Sequence, residues 1–125
     1  MRKVKVKICG LKRAQDIECV NKLLPDYIGF VFAKTKREVT EQQAAQLKAM
    51  LNPQIKAVGV FVNAEIDLIA RLAASRTIDI IQLHSDEDAA YCERLRLQTE
   101  LPIIKAVRVK DAGSFENLQA YPCDY

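Results

Sequence analysis

Histidine, glycine and closely spaced cysteines are scarce in this chain, and each scarcity excludes a class of site. One histidine and four glycines occur among the 125 residues. No G-x-G-x-x-G pattern follows the first strand-like run, which argues against a dinucleotide fold. The cysteines form no C-x-x-C pair, so the sequence predicts no metal site. They are scattered along the chain: Cys9, Cys19, Cys92 and Cys123.

Concentrated charge and long apolar runs are also missing. The net charge of +3 comes from basic residues spread along the chain, without the clusters and interleaved aromatic residues typical of nucleic-acid binding. No apolar run approaches the roughly 20 residues that span a bilayer. Scattered thiols without a signal peptide indicate a reducing compartment. We therefore expect a cytoplasmic protein that binds a small acidic molecule, and neither nucleic acid nor a membrane.

What the chain does contain is a repeated alternation of strand-like and helix-like segments. Each strand-like run precedes a helical pattern, and no hairpin signal separates successive runs. This rhythm predicts a single α/β domain over residues 1–125, built from βα units around a parallel sheet. The predicted strands are Val4 to Ile8, Tyr27 to Phe32, Ala57 to Val62, Ile78 to Leu83 and Ile103 to Val107.

The predicted helices carry recognisable starts. Thr40 and Gln43 have the spacing of a capping box at the start of the second helix. Asn63 is the expected N-cap of the third helix, and the acidic residues 86–88 suit the first turn of the fourth, capping or exposed. The first helix is expected to bury one apolar face: Ile17, Val20 and Leu24.

Polar residues gather where the predicted strands end. Periodicity alone leaves a doubly wound sheet and a βα barrel open, because both bury their strands on two faces. In a barrel, one rim would collect all of these residues, and barrel enzymes place their chemistry on that rim. The residues are Cys9, Lys34, Arg37, Asn63, Gln82, His84 and Arg108.

Cys9 is the candidate reactive residue. Strand alternation places it on the same face as Lys5 and Lys7, and nearby positive charge favours a thiolate. The competing interpretation is a buried, unreactive cysteine. In a barrel, Lys5, Lys7 and Lys105 could point into the lumen, where a charge must find a partner or water. The cysteines within predicted helices are expected in the core: Cys19 and Cys92.

Six short segments are spread along essentially the whole chain: Lys7 to Leu11, Ile28 to Phe32, Lys36 to Thr40, Gly59 to Asn63, Gln82 to His84, and Lys105 to Asp111. In this order and at this spacing they resemble the segments of phosphoribosylanthranilate isomerase. This resemblance implies a TIM (βα)8 barrel, of which about five βα units can be read here.

The resemblance implies an isomerase of tryptophan biosynthesis that needs no cofactor. Its reaction is the Amadori rearrangement of N-(5'-phosphoribosyl)anthranilate, a small phosphorylated substrate, to 1-(2-carboxyphenylamino)-1-deoxyribulose 5-phosphate. An acid opens the ribose ring to a Schiff base, and a base then removes the C2' proton. Cys9 matches that catalytic base, Arg37 matches the arginine that lies over the anthranilate, and His84 is a substrate-binding candidate.

The chain is expected to be truncated, because residues 120–125 read as the lead-in to a sixth strand. The resemblance places the general acid at the end of that strand and the phosphate site after strands seven and eight. We therefore expect the 125-residue chain alone to be inactive. An open half barrel would also expose strand edges and could self-associate.

Two other functions remain open at the level of sequence. One is a non-catalytic truncated fragment or a self-assembling half barrel, which keeps the fold pattern without a complete site. The other is a flavodoxin-like binding domain, which explains five strands by an open doubly wound sheet. Tight binding of a flavin or nucleotide by this chain would favour the flavodoxin-like alternative.

Overall fold

The computed structural model describes residues 6–84, 87 and 89–105, and strands and helices alternate throughout this part of the chain. The elements in chain order are β1 (Lys7–Cys9), α1 (Ala14–Leu23), β2 (Tyr27–Val31), α2 (Glu41–Met50), β3 (Lys56–Phe61), α3 (Ile66–Ala74), β4 (Ile80–Leu83), α4 (Ala89–Gln98) and β5 (Ile103–Lys105).

The five strands form one parallel sheet in the order β1-β2-β3-β4-β5. Each strand pairs with the next one in sequence, with registers such as Cys9 beside Gly29 and Phe61 beside Leu83. A doubly wound sheet would reverse direction at a switch point. Because this order never reverses, the flavodoxin-like alternative is wrong and the predicted barrel-type arrangement of βα units is confirmed.

The main core lies between the sheet and the helices. Ile28, Phe61 and Ile81 from the strands share one buried cluster with Ile17 and Ile69 from the helices. A smaller cluster, formed by Val58, Val60 and Ile80, lies on the opposite face of the sheet. All four helices therefore cover one face, and the second face is the inner wall of the barrel arrangement.

Side-chain hydrogen bonds stabilise the starts of α1 and α2. In α2 the Thr40 hydroxyl accepts a hydrogen bond from the Gln43 amide at 3.1 Å, and the Gln43 side chain accepts one from the Thr40 amide at 2.9 Å, which confirms the predicted capping box. At α1 the Asp16 carboxylate accepts the amides of Lys12 and Arg13. The hydrogen bond from the Lys12 amide lowers the pKa of Asp16; burial opposes it, and the bonds and charge of Arg13 keep the pKa below its usual value.

Leu24 was predicted on the buried face of α1 and is instead 51% exposed. The helix ends at Leu23, and Leu24 adopts a left-handed conformation with φ +50°. Its amide bonds to the Val20 carbonyl at 2.7 Å. Pro25 follows, and a residue before proline is disfavoured in the helical conformation. The helix therefore ends one residue before Leu24, the last residue of the predicted buried face.

Asn63 was predicted as the N-cap of α3, and this prediction is wrong. The helix begins at Ile66 with Glu65 at the N-cap position. Asn63 has φ +48°, in the left-handed region that asparagine tolerates, and its amide bonds to Glu87 rather than starting the helix. The chain thus makes a turn between β3 and α3 that the sequence pattern did not show.

Several smaller differences concern strand ends and cysteines. β4 begins at Ile80 rather than Ile78. Of the predicted strand ends, Val4 and Val107 lie outside the described residues, as do Ser85 and Lys5. The helical cysteines divide: Cys92 is buried as predicted, whereas Cys19 is exposed on α1, because it follows the buried Ile17 by two positions and faces away from the sheet.

Candidate active site

Cys9 ends β1 at the carboxyl edge of the sheet and is exposed. Its neighbour on β2 is Gly29, and a Cβ atom at Gly29 would lie 2.5 Å from the Cys9 Sγ atom. The thiol therefore occupies the space that a side chain at position 29 would fill. Its exposure shows that Cys9 is not buried, and the candidate base lies at the carboxyl end of β1.

Arg37 lies across the turn that follows Cys9. Gly10 has φ +84°, and its amide bonds to the Gly29 carbonyl at 2.9 Å. A Cβ atom at Gly10 would collide with the Arg37 Cδ atom and lie 3.1 Å from Nη1 and 3.3 Å from Nε. The Arg37 side chain thus packs against the backbone of Gly10, the residue that follows Cys9.

His84 stands on the same rim, immediately after β4. Its amide bonds to the Phe61 carbonyl at 2.9 Å, and its Nδ1 atom lies 3.3 Å from Gln82 Nε2. The Gln82 Oε1 atom accepts a hydrogen bond from Lys7 Nζ on β1. Side chains of β1 and β4 meet only if the sheet curves, because in a flat sheet they would stand parallel about 14 Å apart. Lys7 therefore points into the concave inner face, as expected for a barrel.

Lys105 was expected in the lumen, and the structure places it on the other face. It shares the helix-facing side of β5 with Ile103, two positions earlier. Its Nζ atom lies 3.0 Å from Glu87 Oε1, with side-chain exposures of only 5% for Lys105 and 0% for Glu87. The expectation that the acids before α4 are exposed or capping is therefore wrong for Glu87, whose charge is buried and paired.

Glu87 also holds the loop after β3, which the sequence reasoning missed. Its Oε2 atom accepts the amide of Asn63 at 2.7 Å. The nearby Tyr91 hydroxyl donates to the Ala64 carbonyl at 2.6 Å. Burial, with a smaller contribution from the negative charge of Glu87, raises the pKa of Tyr91 to about 12. The one feature of the sequence that pointed to this role of Glu87 was the position of Lys105. Lys105 lies two residues after Ile103, on the same face of the strand, which predicts a buried cation that needs an acidic partner.

Across residues 6–84, 87 and 89–105, no three His, Cys, Asp or Glu side chains are grouped as a metal site would require. In the same part of the chain, no helix is long and apolar enough to cross a membrane.

Comparison with known proteins decides the family. A family model described as N-(5'-phosphoribosyl)anthranilate (PRA) isomerase matches residues 6–124. The chain belongs to this family. The N-(5'-phosphoribosyl)anthranilate isomerase of Lachnoclostridium phytofermentans is 48% identical over 122 residues, which cover 98% of this chain and 56% of that protein. The isomerase of Endomicrobium trichonymphae is 50% identical over 107 residues, covering 86% and 54%. The chain thus spans just over half the length of these relatives.

Solved structures of PRA isomerases agree with the fold. Monomers of the dimeric isomerase from Thermotoga maritima superpose with a TM-score of 0.80 at 33% identity, covering 92% of this chain and 59% of that one. A second PRA isomerase structure, with a TM-score of 0.79 at 32% identity and the same coverage, holds reduced 1-(o-carboxyphenylamino)-1-deoxyribulose 5-phosphate. That isomerase therefore binds a phosphorylated ligand.

Proposed function

We propose that this chain supplies the base and the anthranilate-binding residues of a phosphoribosylanthranilate isomerase in tryptophan biosynthesis. The observation that carries the proposal is the contact of Arg37 with Gly10, directly beside the exposed Cys9. A thiol and a planar cation at the carboxyl rim of parallel strands can meet one substrate together. Family membership indicates the reaction, and the positions of Cys9 and Arg37 indicate two of the groups that take part in it.

The proposed reaction divides between an acid and a base. Protonation of the ribose ring oxygen breaks the C1'–O bond, and the amine lone pair forms the Schiff base. Cys9, as thiolate, then takes the C2' proton, and the C–H electron pair forms the enolamine, which rearranges to the ketose. Protons and electrons balance within the substrate and these two groups, so no cofactor is required.

Arg37 is proposed to orient the anthranilate half of the substrate. A guanidinium can pair with a carboxylate and stack on an aromatic ring, which are the two features of anthranilate. Arg37 is itself positioned by its loop, since its amide bonds to the Thr35 hydroxyl at 3.1 Å. His84 lies on the same rim and is proposed to bind substrate rather than to transfer a proton.

Replacement of the thiol tests the function. In a polypeptide that has isomerase turnover, we expect Cys9→Ala to lower kcat by about 10² to 10⁴ while KM changes little, because a positioned base acts in the transition state. The matched control is Cys19→Ala, which removes an exposed thiol on α1, away from the rim. Turnover that survives Cys9→Ala would overturn the proposal.

The 125 residues alone are proposed to lack useful turnover. Supporting this, the chain spans just over half of its relatives, and family resemblance assigns the general acid and phosphate site to later strands. A thiol-bearing biosynthetic enzyme of this kind is expected in the cytoplasm.

The second candidate function of the isolated chain is self-association as a half barrel. Among the described residues, β1 and β5 are the end strands of the sheet, and end strands readily template pairing with another chain. Size-exclusion chromatography with light scattering should then give a dimer mass of about twice 14.1 kDa. A monodisperse monomer at high concentration would exclude this second candidate.

A further inference from the structure

Three side chains form a hydrogen-bonded row across the inner face of the sheet. Lys7 on β1 bonds to Gln82 on β4, and Gln82 lies against His84 just beyond the strand. The row runs from the Lys7 ammonium group to the His84 imidazole on the candidate active-site rim. Its chemistry restricts which hydrogen-bond roles each member can take.

Lys7 determines the orientation of the Gln82 amide. A lysine ammonium carries three donors and no acceptor, so the amide must turn its Oε1 atom toward Lys7. Its NH2 group then faces the other way, toward the ring of His84. Lysine only donates hydrogen bonds, so this assignment of the Gln82 amide nitrogen and oxygen rests on hydrogen-bond chemistry and not on their positions alone.

The amide orientation in turn determines the protonation of the imidazole. Gln82 Nε2 lies 3.3 Å from His84 Nδ1, and an amide nitrogen only donates. Nδ1 must therefore accept, which leaves it without a proton in the neutral ring. The single proton of the neutral ring then resides on Nε2, on the side of the imidazole away from Gln82.

We propose that Gln82 is a positioning residue that fixes the neutral His84 in its Nε2–H tautomer. The hydrogen bond from the His84 amide to the Phe61 carbonyl at 2.9 Å holds the His84 backbone at the carboxyl rim of the sheet. His84 thus presents a donor to an oxygen atom of the substrate. This last step rests on the proposed function, whereas the tautomer itself does not.

The tautomer can be measured directly because the chain has one histidine. Long-range 1H–15N correlation spectra of the 15N-labelled protein, recorded without substrate at alkaline pH where imidazole is neutral, should show an unprotonated Nδ1 and a protonated Nε2. Gln82→Glu should reverse the pattern to Nδ1–H, because a carboxylate only accepts. Gln46→Glu, the same charge change on the exposed face of α2, should leave the wild-type pattern.

An unchanged tautomer in folded Gln82→Glu would overturn the proposal. A second measurement covers the case in which that variant does not fold: a scalar coupling across the hydrogen bond from Gln82 Nε2 to His84 Nδ1 in the wild-type protein. Its presence supports the arrangement, and its absence at low temperature overturns it. Both measurements are independent of turnover, so failure of the Cys9→Ala test would leave their outcome unaffected.

Discussion

The absence of a side chain at Gly10 leaves room for the Arg37 side chain. Gly10→Ala adds a Cβ atom that collides with the Arg37 Cδ atom, at a backbone φ of +84° that favours glycine. We expect the guanidinium to be displaced and KM for the substrate to rise roughly 10- to 100-fold, since a hydrogen bond to a charged group contributes about 1.5 to 3 kcal/mol. Steady-state kinetics of an active polypeptide carrying the variant measures this.

The matched control is Gly59, a glycine within β3. In Gly59→Ala the new Cβ atom would lie 2.9 Å from the Phe61 ring and 3.0 Å from Ile78, on the helix-facing side. This variant should lose stability without a change in KM. An equal rise in KM for both variants would show that Gly10 acts only through general stability.

Tyr91 is the second residue whose surroundings predict a measurable property. Burial, and then Glu87, raises its pKa from 10.0 to about 12. The folded protein therefore keeps this proton after the unfolded chain has lost it. The associated stability is complete below pH 10 and is lost as pH rises from 10 through about 12.

Tyrosinate absorbance and alkaline unfolding test this prediction. The wild-type protein should show one of its four tyrosines titrating late, and Tyr91→Phe should remove that step. The free energy of unfolding of Tyr91→Phe should also fall less steeply over the same pH range. An absorbance titration that is identical apart from total amplitude would contradict the raised pKa.

Among secondary-structure elements, the Glu87–Lys105 pair connects β5 to the loops that follow β3 and β4. Both side chains are almost fully buried, at 0% and 5% exposure. Breaking a buried pair from one side leaves an uncompensated charge, which costs about 3 to 5 kcal/mol. Glu87→Gln and Lys105→Met should each destabilise the fold by this amount, and the double variant by much less than the sum, as measured by urea unfolding.

An exposed ion pair provides the comparison for this double-mutant cycle of Glu87 and Lys105. Arg71 and Glu41 join α3 to α2 at 2.8 Å with side-chain exposures of 59% and 45%. Arg71→Met should leave the midpoint of unfolding nearly unchanged, because solvent screens exposed pairs. If the two single variants at Glu87 and Lys105 were simply additive, the pair would not be the source of the stability.

The sequence could predict those elements whose signals are local. The βα rhythm, the Thr40–Gln43 capping box and the position of Cys9 at a strand end each depend on a few neighbouring residues. The buried role of Glu87 depends on partners 18 and 24 positions away, which no local pattern shows. The end of α1 was predictable from Pro25, but the apolar periodicity through Leu24 pointed the other way.

At the scale of the whole molecule, the inner wall formed by Val58, Val60 and Ile80 faces the region that the later strands occupy in a complete barrel. The isomerase of Lachnoclostridium phytofermentans shares 48% identity over 122 residues of this chain, which cover 56% of that relative. A fusion of residues 1–125 to the remaining part of that relative should therefore form a closed barrel.

We expect isomerase turnover from the fusion and none from the 125-residue chain alone. The general acid alone should contribute about 10² to 10⁴ in rate, and phosphate binding should add further transition-state stabilisation. Cys9→Ala within the fusion is the decisive control, because the added part then remains intact while the proposed base is gone. Equal turnover by the chain and the fusion would show that the site is complete within 125 residues. A fusion that folds but stays inactive would show that the two parts do not bring base and acid to one substrate.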